Sequence, residues 1–204
     1  SAAPMSVAVP AELRQPLRLT GAQGELRWQR QAQGWQLRVA GVDVATPDFS
    51  ARLQGEVSLP DSGPSDSRLG LSMAQVPVKR IAAYLPELIG TDTVTWLHAA
   101  LQGGTAREVR ASLQGDITRF PFAGGQGGRF LVEANVDDGK FLFDPAWPVL
   151  DGIQGRFRML NDGIEVQAAR ARTAGVALQQ VTVRLPDLMR EHAKVAARNL
   201  RSVG

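Results

Sequence analysis

The 204-residue chain has no cysteine. Disulfides, thiol nucleophiles and zinc sites of the Cys type are therefore excluded. Its two histidines, His98 and His192, are isolated from one another and too few for a metal centre or an acid–base pair. No Gly-x-Ser-x-Gly elbow is present, and the Gly-rich stretch 124–128 lacks the Lys-Ser/Thr that a phosphate loop carries. No run of 18 apolar residues exists, so no segment can cross a bilayer as a helix, and the N-terminus has no signal-like apolar stretch. Lysine is scarce: Lys79, Lys140 and Lys194 are three of the 23 basic residues, which outnumber the acidic ones by only three. The arginines are dispersed, many at outward strand positions such as Arg27, Arg38, Arg52, Arg110 and Arg158. A nucleic-acid partner, which wants clustered charge and interleaved aromatics, is not expected. The acidic pairs Asp137-Asp138 and Asp43/Asp48 read as turn residues rather than as a glycosidase dyad. Catalytic residues, metal ligands and cofactors are all expected to be absent.

What the chain does have is alternation. From Phe49 to Leu59 the odd positions are apolar or Gly and the even ones polar, and Val109–Ile117 repeats the pattern. A period of two puts the apolar side chains of a strand on one face. Similar segments occur at Pro16–Leu19, Glu25–Arg30, Trp35–Val39, Leu69–Met73, Phe130–Val136, Ile153–Met159 and Ile164–Ala168. Gln33-Gly34, Asp138-Gly139 and Asp162-Gly163 predict hairpin turns. Phase changes after Gly41 and near Gln179 predict bulges. Pro60–Ser67 reads as a flexible loop.

The period changes in the middle of the chain. Val78, Ile81, Ala82, Leu85 and Leu88 recur at three and four, which predicts a helix starting at Pro77 and kinked or ended near Pro86. Thr91 and Asp92 can cap a second helix bearing Val94, Leu97 and Leu101, ended by Gly103-Gly104. Residues 1–16 read as a lead-in to a single section, 17–204, with a helical insertion at 77–102. The tail from Pro186 fits a short helical turn at Asp187–Arg190 followed by a strand.

The expected fold is thus mainly β, a long antiparallel sheet with two short helices. About ten strands spaced about 4.8 Å apart make a sheet roughly 48 Å wide. Two helices of about 12 residues, each roughly 18 Å long, cover only part of it. The remaining apolar face must curl onto itself as a sandwich or barrel, pack on another copy, or stay concave and hold an apolar ligand. Covered sheets are the commoner outcome, so residue patterning alone favours self-burial.

The middle of the chain carries a set of short words: Tyr84-Leu85-Pro86, Trp96-Leu97 with Ala100-Leu101, Gly115, Phe120-Pro121-Phe122, Gly128 with Phe130, and Trp147-Pro148. Their order and spacing resemble the YhdP family of AsmA-like envelope proteins, over about residues 15 to 200. The resemblance implies a curved sheet forming an open hydrophobic groove in the periplasm of a double-membraned bacterium. It implies an inner-membrane anchor through an N-terminal helix not contained in this chain. It also implies phospholipid acyl chains as cargo, neighbouring sections of a longer chain as partners, and no catalytic residues. The rival reading is an envelope scaffold with a self-buried sandwich core.

A conduit for acyl chains needs attraction without direction, which apolar burial supplies at about 0.8 kcal/mol per CH₂. The groove candidates are Phe49, Leu53, Val57, Leu113, Ile117, Phe130, Val132, Phe157, Ile164 and Val166. An ordinary core is the competing role for each. Gly55, Gly115 and Gly155, at inward positions, would relieve crowding where a sheet bends. Trp96, Trp147 and Tyr84 are expected to anchor helix and loop to the sheet.

Overall fold

A computed structural model describes residues 5–7, 17–84 and 91–185. The tail predicted from Pro186 onward and the break predicted at Pro86–Gly90 lie outside the described residues. A short pair, β1 (Met5–Val7) with β2 (Leu17–Leu19), precedes the main sheet. Among the described residues that sheet has nine strands: β3 (Gly21–Gln31), β4 (Gly34–Ala45), β5 (Ser50–Pro60), β6 (Asp66–Pro77), β7 (Leu101–Gly115), β8 (Gly128–Phe141), β9 (Leu150–Leu160), β10 (Gly163–Thr173) and β11 (Val176–Leu185). Each pairs antiparallel with its neighbours in sequence, so the sheet is a simple meander.

The sheet is open, as the family resemblance implies and against the self-burial that residue patterning alone favours. β3 and β11 do not pair with each other, so the meander does not close into a barrel, and eight gaps of about 4.8 Å put them roughly 38 Å apart along the sheet. Register shifts bend it into a groove without closing it. They fall between Gln23 and Glu25, Val39 and Val42, Arg107 and Arg110, Val136 and Gly139, and Ala168 and Arg170. Glycines permit the tight passages: at Gly55 (φ +136°) an added Cβ would lie 2.0 Å from the Arg68 carbonyl oxygen, and at Gly155 2.1 Å from that of Gln167.

The helices lie between β6 and β7. α1 (Val78–Ile81) continues as a 3₁₀ turn through Tyr84, and α2 (Thr91–Ala100) follows. α1 is too short to persist alone. It is held by Val76, Val78, Ala106 and Val109, with Phe49, Met73, Ile81 and Val132 packed around them. A second cluster, Ile153, Ala168 and Ala171, fixes β9 and β10.

Three local expectations fail, each for a tertiary reason. Gly103-Gly104 does not end α2. The chain enters β7 at Leu101, and Gly104 (φ +96°) lets β7 approach β8 so closely that a Cβ would sit 2.6 Å from the Gly139 Cα. Asp138-Gly139 is a bulge rather than a hairpin: Asp138 adopts φ +50°, Gly139 is buried opposite Ile153, and β8 runs on to Phe141. The reversal comes later, at 142–149, so Phe143 is a loop residue. The strand predicted at Val109–Ile117 stops at Gly115. There the Asp116 side chain accepts the Thr118 N–H and starts a 3₁₀ turn, Ile117–Arg119.

Candidate functional site

In antiparallel pairs, directly opposed residues share a face. Following the register across the sheet gives one row through eight strands: Val42, Leu53, Leu71, Ala111, Val132, Met159, Ile164 and Leu185. All eight are apolar, and all eight are only half-buried. The row runs across the strands and so along the groove, over roughly 34 Å for seven gaps. Parallel to it lie Leu26, Val39, Gly55, Leu69, Leu113 and Phe130 on one side, and Ala134, Phe157, Val166 and Val183 on the other. This is the floor of the groove.

Two walls bound the floor at the strand ends. At one end stand the helices. Phe49 meets the Tyr84 ring edge-on at 4.7 Å, and the Tyr84 hydroxyl donates to Asp48 Oδ2 at 2.6 Å. Arg80 Nε lies 3.1 Å from Asp48 Oδ1. Burial, and then the hydrogen bond to Asp48, raise the Tyr84 pKa above its ordinary value. Trp96 of α2 donates its indole N–H to the Phe143 carbonyl at 3.0 Å and packs edge-on against Phe141 and Phe143. Trp147 is 62% exposed, with its ring 5.7 Å from that of Phe143.

At the other end the connection from β7 to β8 folds back over the sheet. Phe122 is fully buried at φ +61°, and its ring occupies the space a Cβ on Gly128 would fill. Phe120 packs edge-on against both Phe122 and Phe130. Asp116 ties this wall to the β5–β6 loop, accepting from Ser65 N–H at 3.2 Å and Ser65 Oγ–H at 2.8 Å. Bonds from Ser65, and then from Thr118, hold its carboxyl below the usual carboxylate value. The loop expected to be a flexible stretch is therefore pinned at Ser65.

The outer face is charged. Directly behind the floor row, Arg52 pairs with Asp43 at 3.1 Å, Arg158 with Glu133 at 3.7 Å and Arg184 with Glu165 at 3.3 Å. Arg107 pairs with Asp137 at 2.6 Å. The acidic pairs read from the sequence as turn residues are thus largely partners of arginine, and such cross-strand pairs favour one register. Among the described residues no group of His, Asp and Glu is arranged to hold a metal ion.

The first strand departs from this pattern. Leu26, Trp28 and Arg30 share the floor phase, opposite Val39, Leu37 and Trp35. Leu26 is 62%, Trp28 55% and Trp35 41% exposed. The Trp28 and Trp35 rings lie 5.7 Å apart, and the Arg30 guanidinium sits 5.5 Å from the Trp35 ring centre. Arg30 donates twice to Asp61, both bonds 2.7 Å. This pairing raises the Arg30 pKa and lowers that of Asp61.

The predicted candidates fall in different places. Leu53, Val132 and Ile164 lie in the central row; Leu113 and Phe130 pair with each other in one flanking row, and Phe157 and Val166 in the other. Val57, at 6% exposure, and Phe49, under Tyr84, belong to the packed margins. Ile117 has left the sheet for the 3₁₀ turn. Val42, Leu71, Ala111, Met159 and Leu185 complete the row, which alternation within single strands does not reveal because it is defined only by the registers between them. Arg30 lies on the floor phase, opposite Trp35, unlike the outward arginines at Arg27, Arg38 and Arg52.

A profile of the YhdP protein family matches residues 1–199. The chain belongs to the YhdP family. It is 27% identical over 187 residues to the intermembrane phospholipid transporter YhdP of Escherichia coli (strain K12). That alignment covers 90% of this chain and 14% of the relative, so the chain corresponds to a small part of that protein's length. No solved structure matches the chain. No helix among the described residues is long and apolar enough to cross a membrane.

Proposed function

We propose that this chain is a periplasmic section of a bridge that conducts phospholipid between inner and outer membranes, with acyl chains lying along the groove floor. The observation that supports this reading best is the unbroken apolar row from Val42 to Leu185, left half-exposed by its own protein. Water against such a floor is displaced favourably by any methylene chain, at about 0.8 kcal/mol per CH₂. The row offers no hydrogen-bonding side chain to stop a chain from sliding. Leu53, Leu113, Phe130, Val132, Phe157, Ile164 and Val166 form the contact surface, and Phe49, Val57 and Ile117 support its margins. The floor is a binding surface rather than a reaction centre. Neighbouring sections of the full-length protein continue the groove, and an N-terminal helix outside this chain anchors it in the inner membrane.

Incubation with phosphatidylethanolamine vesicles, re-isolation of the chain and quantification of the lipid it carries test the proposal. Near-stoichiometric diacyl lipid is expected. A chain that stays folded and carries none would refute it.

A further inference from the structure

Among the described strands the groove floor is mainly apolar, with one charged interruption. Among the described strands, Arg30 is the ionised side chain at a floor position, and it stands one residue from the end of β3. Two and four residues inward on the same face lie Trp28 and Leu26, both largely exposed. At about 3.4 Å per residue, Arg30 is about 7 Å from Trp28 along the strand. A guanidinium therefore sits at the rim where bare floor meets solvent, flanked by the Trp35 ring and joined to the Asp61 carboxylate.

We propose that Arg30, Asp61 and Trp35 form a headgroup station for a zwitterionic phospholipid whose acyl chains lie on Trp28 and Leu26. This rests on the groove reading above. The chemistry is matched group by group. Arginine presents a planar fork that takes phosphate oxygens bidentately, as it takes the Asp61 carboxylate here. Asp61 and the face of Trp35 suit an ammonium group, one by charge and the other by cation–π attraction. The Arg30–Asp61 pair is solvent-exposed, so it holds the two groups ready without binding them tightly. An arriving phosphoammonium headgroup exchanges one internal ion pair for two external ones. Indole rings sit well at such a boundary, with one edge in hydrocarbon and the other wet. A headgroup held at the rim keeps the lipid's polar end out of the apolar row and sets the depth at which its tails enter.

The test compares the chain with its R30Q, R30K and D61N variants in taking up three lipids from vesicles: phosphatidylethanolamine, phosphatidylglycerol and headgroup-free diacylglycerol. R30Q should lose about tenfold in phosphatidylethanolamine uptake, as expected for removing charge-assisted hydrogen bonds. It should leave diacylglycerol uptake unchanged, and R30K should fall between. D61N should shift preference towards phosphatidylglycerol, which has no ammonium. Soluble glycerophosphoethanolamine at the same concentration should not displace bound lipid, since it lacks the tails; displacement would mean a free-phosphate site and overturn the proposal. Equal losses of phosphatidylethanolamine and diacylglycerol in R30Q, or no loss, would also overturn it while leaving the groove intact. If the unmodified chain takes up no lipid of any kind, the groove reading falls and the station with it.

Discussion

Leu53→Glu separates an open floor from a closed core. Leu53 is half-buried between Val42 and Leu71 in the central row. In an open groove the new carboxylate reaches water. The loss is about half the burial of a leucine side chain, on the order of 1 kcal/mol. For a chain of this size that is about 2–4 °C in Tm. In a sealed core the same carboxylate would be unpaired and dry, at a cost of several kcal/mol against a total stability of about 5–15 kcal/mol. Val76→Glu supplies the internal comparison, because Val76 is 2% exposed beneath α1. Lipid uptake should respond the other way. A charge in mid-floor displaces about four methylenes, about 3 kcal/mol or roughly a hundredfold in affinity. The assays are thermal unfolding by circular dichroism and lipid uptake from vesicles. Leu53→Glu should fold and fail to carry lipid, whereas Val76→Glu should not fold. If both variants unfold alike, or if Leu53→Glu still carries lipid, the reasoning is wrong.

Further perturbations test the walls and the bends. Gly55→Ala places a Cβ against the Arg68 carbonyl at a strained φ, and should lower stability by about 2–4 kcal/mol in urea unfolding. Ser67→Ala should be neutral or stabilising by about 1 kcal/mol, because the buried Ser67 hydroxyl finds no hydrogen-bond partner among the described residues. The depressed Asp116 pKa contributes stability that is present above the ordinary value of 3.8 and lost as pH falls through the lower folded value. The stability advantage of the unmodified chain over D116N should therefore be constant above about pH 5 and shrink below about pH 4, read from Tm against pH. Trp96→Phe removes the N–H bond to the Phe143 carbonyl and should cost about 1 kcal/mol without changing lipid uptake.

Much of the sheet was legible because alternation is a local signal. Phe49–Leu59, the bulge after Gly41 and the paired helices near 77–102 can all be read from neighbouring residues. The failures share a cause: the local signal was real, but a distant contact decided its use. Asp138-Gly139 suits a hairpin turn, yet Ile153 packs over Gly139 and turns the same backbone into a bulge. Gly103-Gly104 suits a helix end, yet the glycines serve the close approach of β7 to β8. Ile117 continues the alternation, but the Asp116 cap, secured by Ser65 from 51 residues earlier, breaks the strand. The openness of the sheet is not a property of any segment. It follows from eight sequential pairings that never bring β3 to β11. Arg30 shows the same limit in the site: its phase with Leu26 and Trp28 was visible, while its Asp61 partner, 31 residues away, was not.

Photo-crosslinking from adjacent strand positions tests the central claim most directly. Leu113 and Phe157 face the floor, whereas their neighbours Gln114 and Arg158 face outward. A photoreactive residue at 113 or 157 should yield covalent phospholipid adducts, and one at 114 or 158 should yield none. Adducts of equal abundance from both faces, or none from the floor, would contradict a lipid-bearing groove.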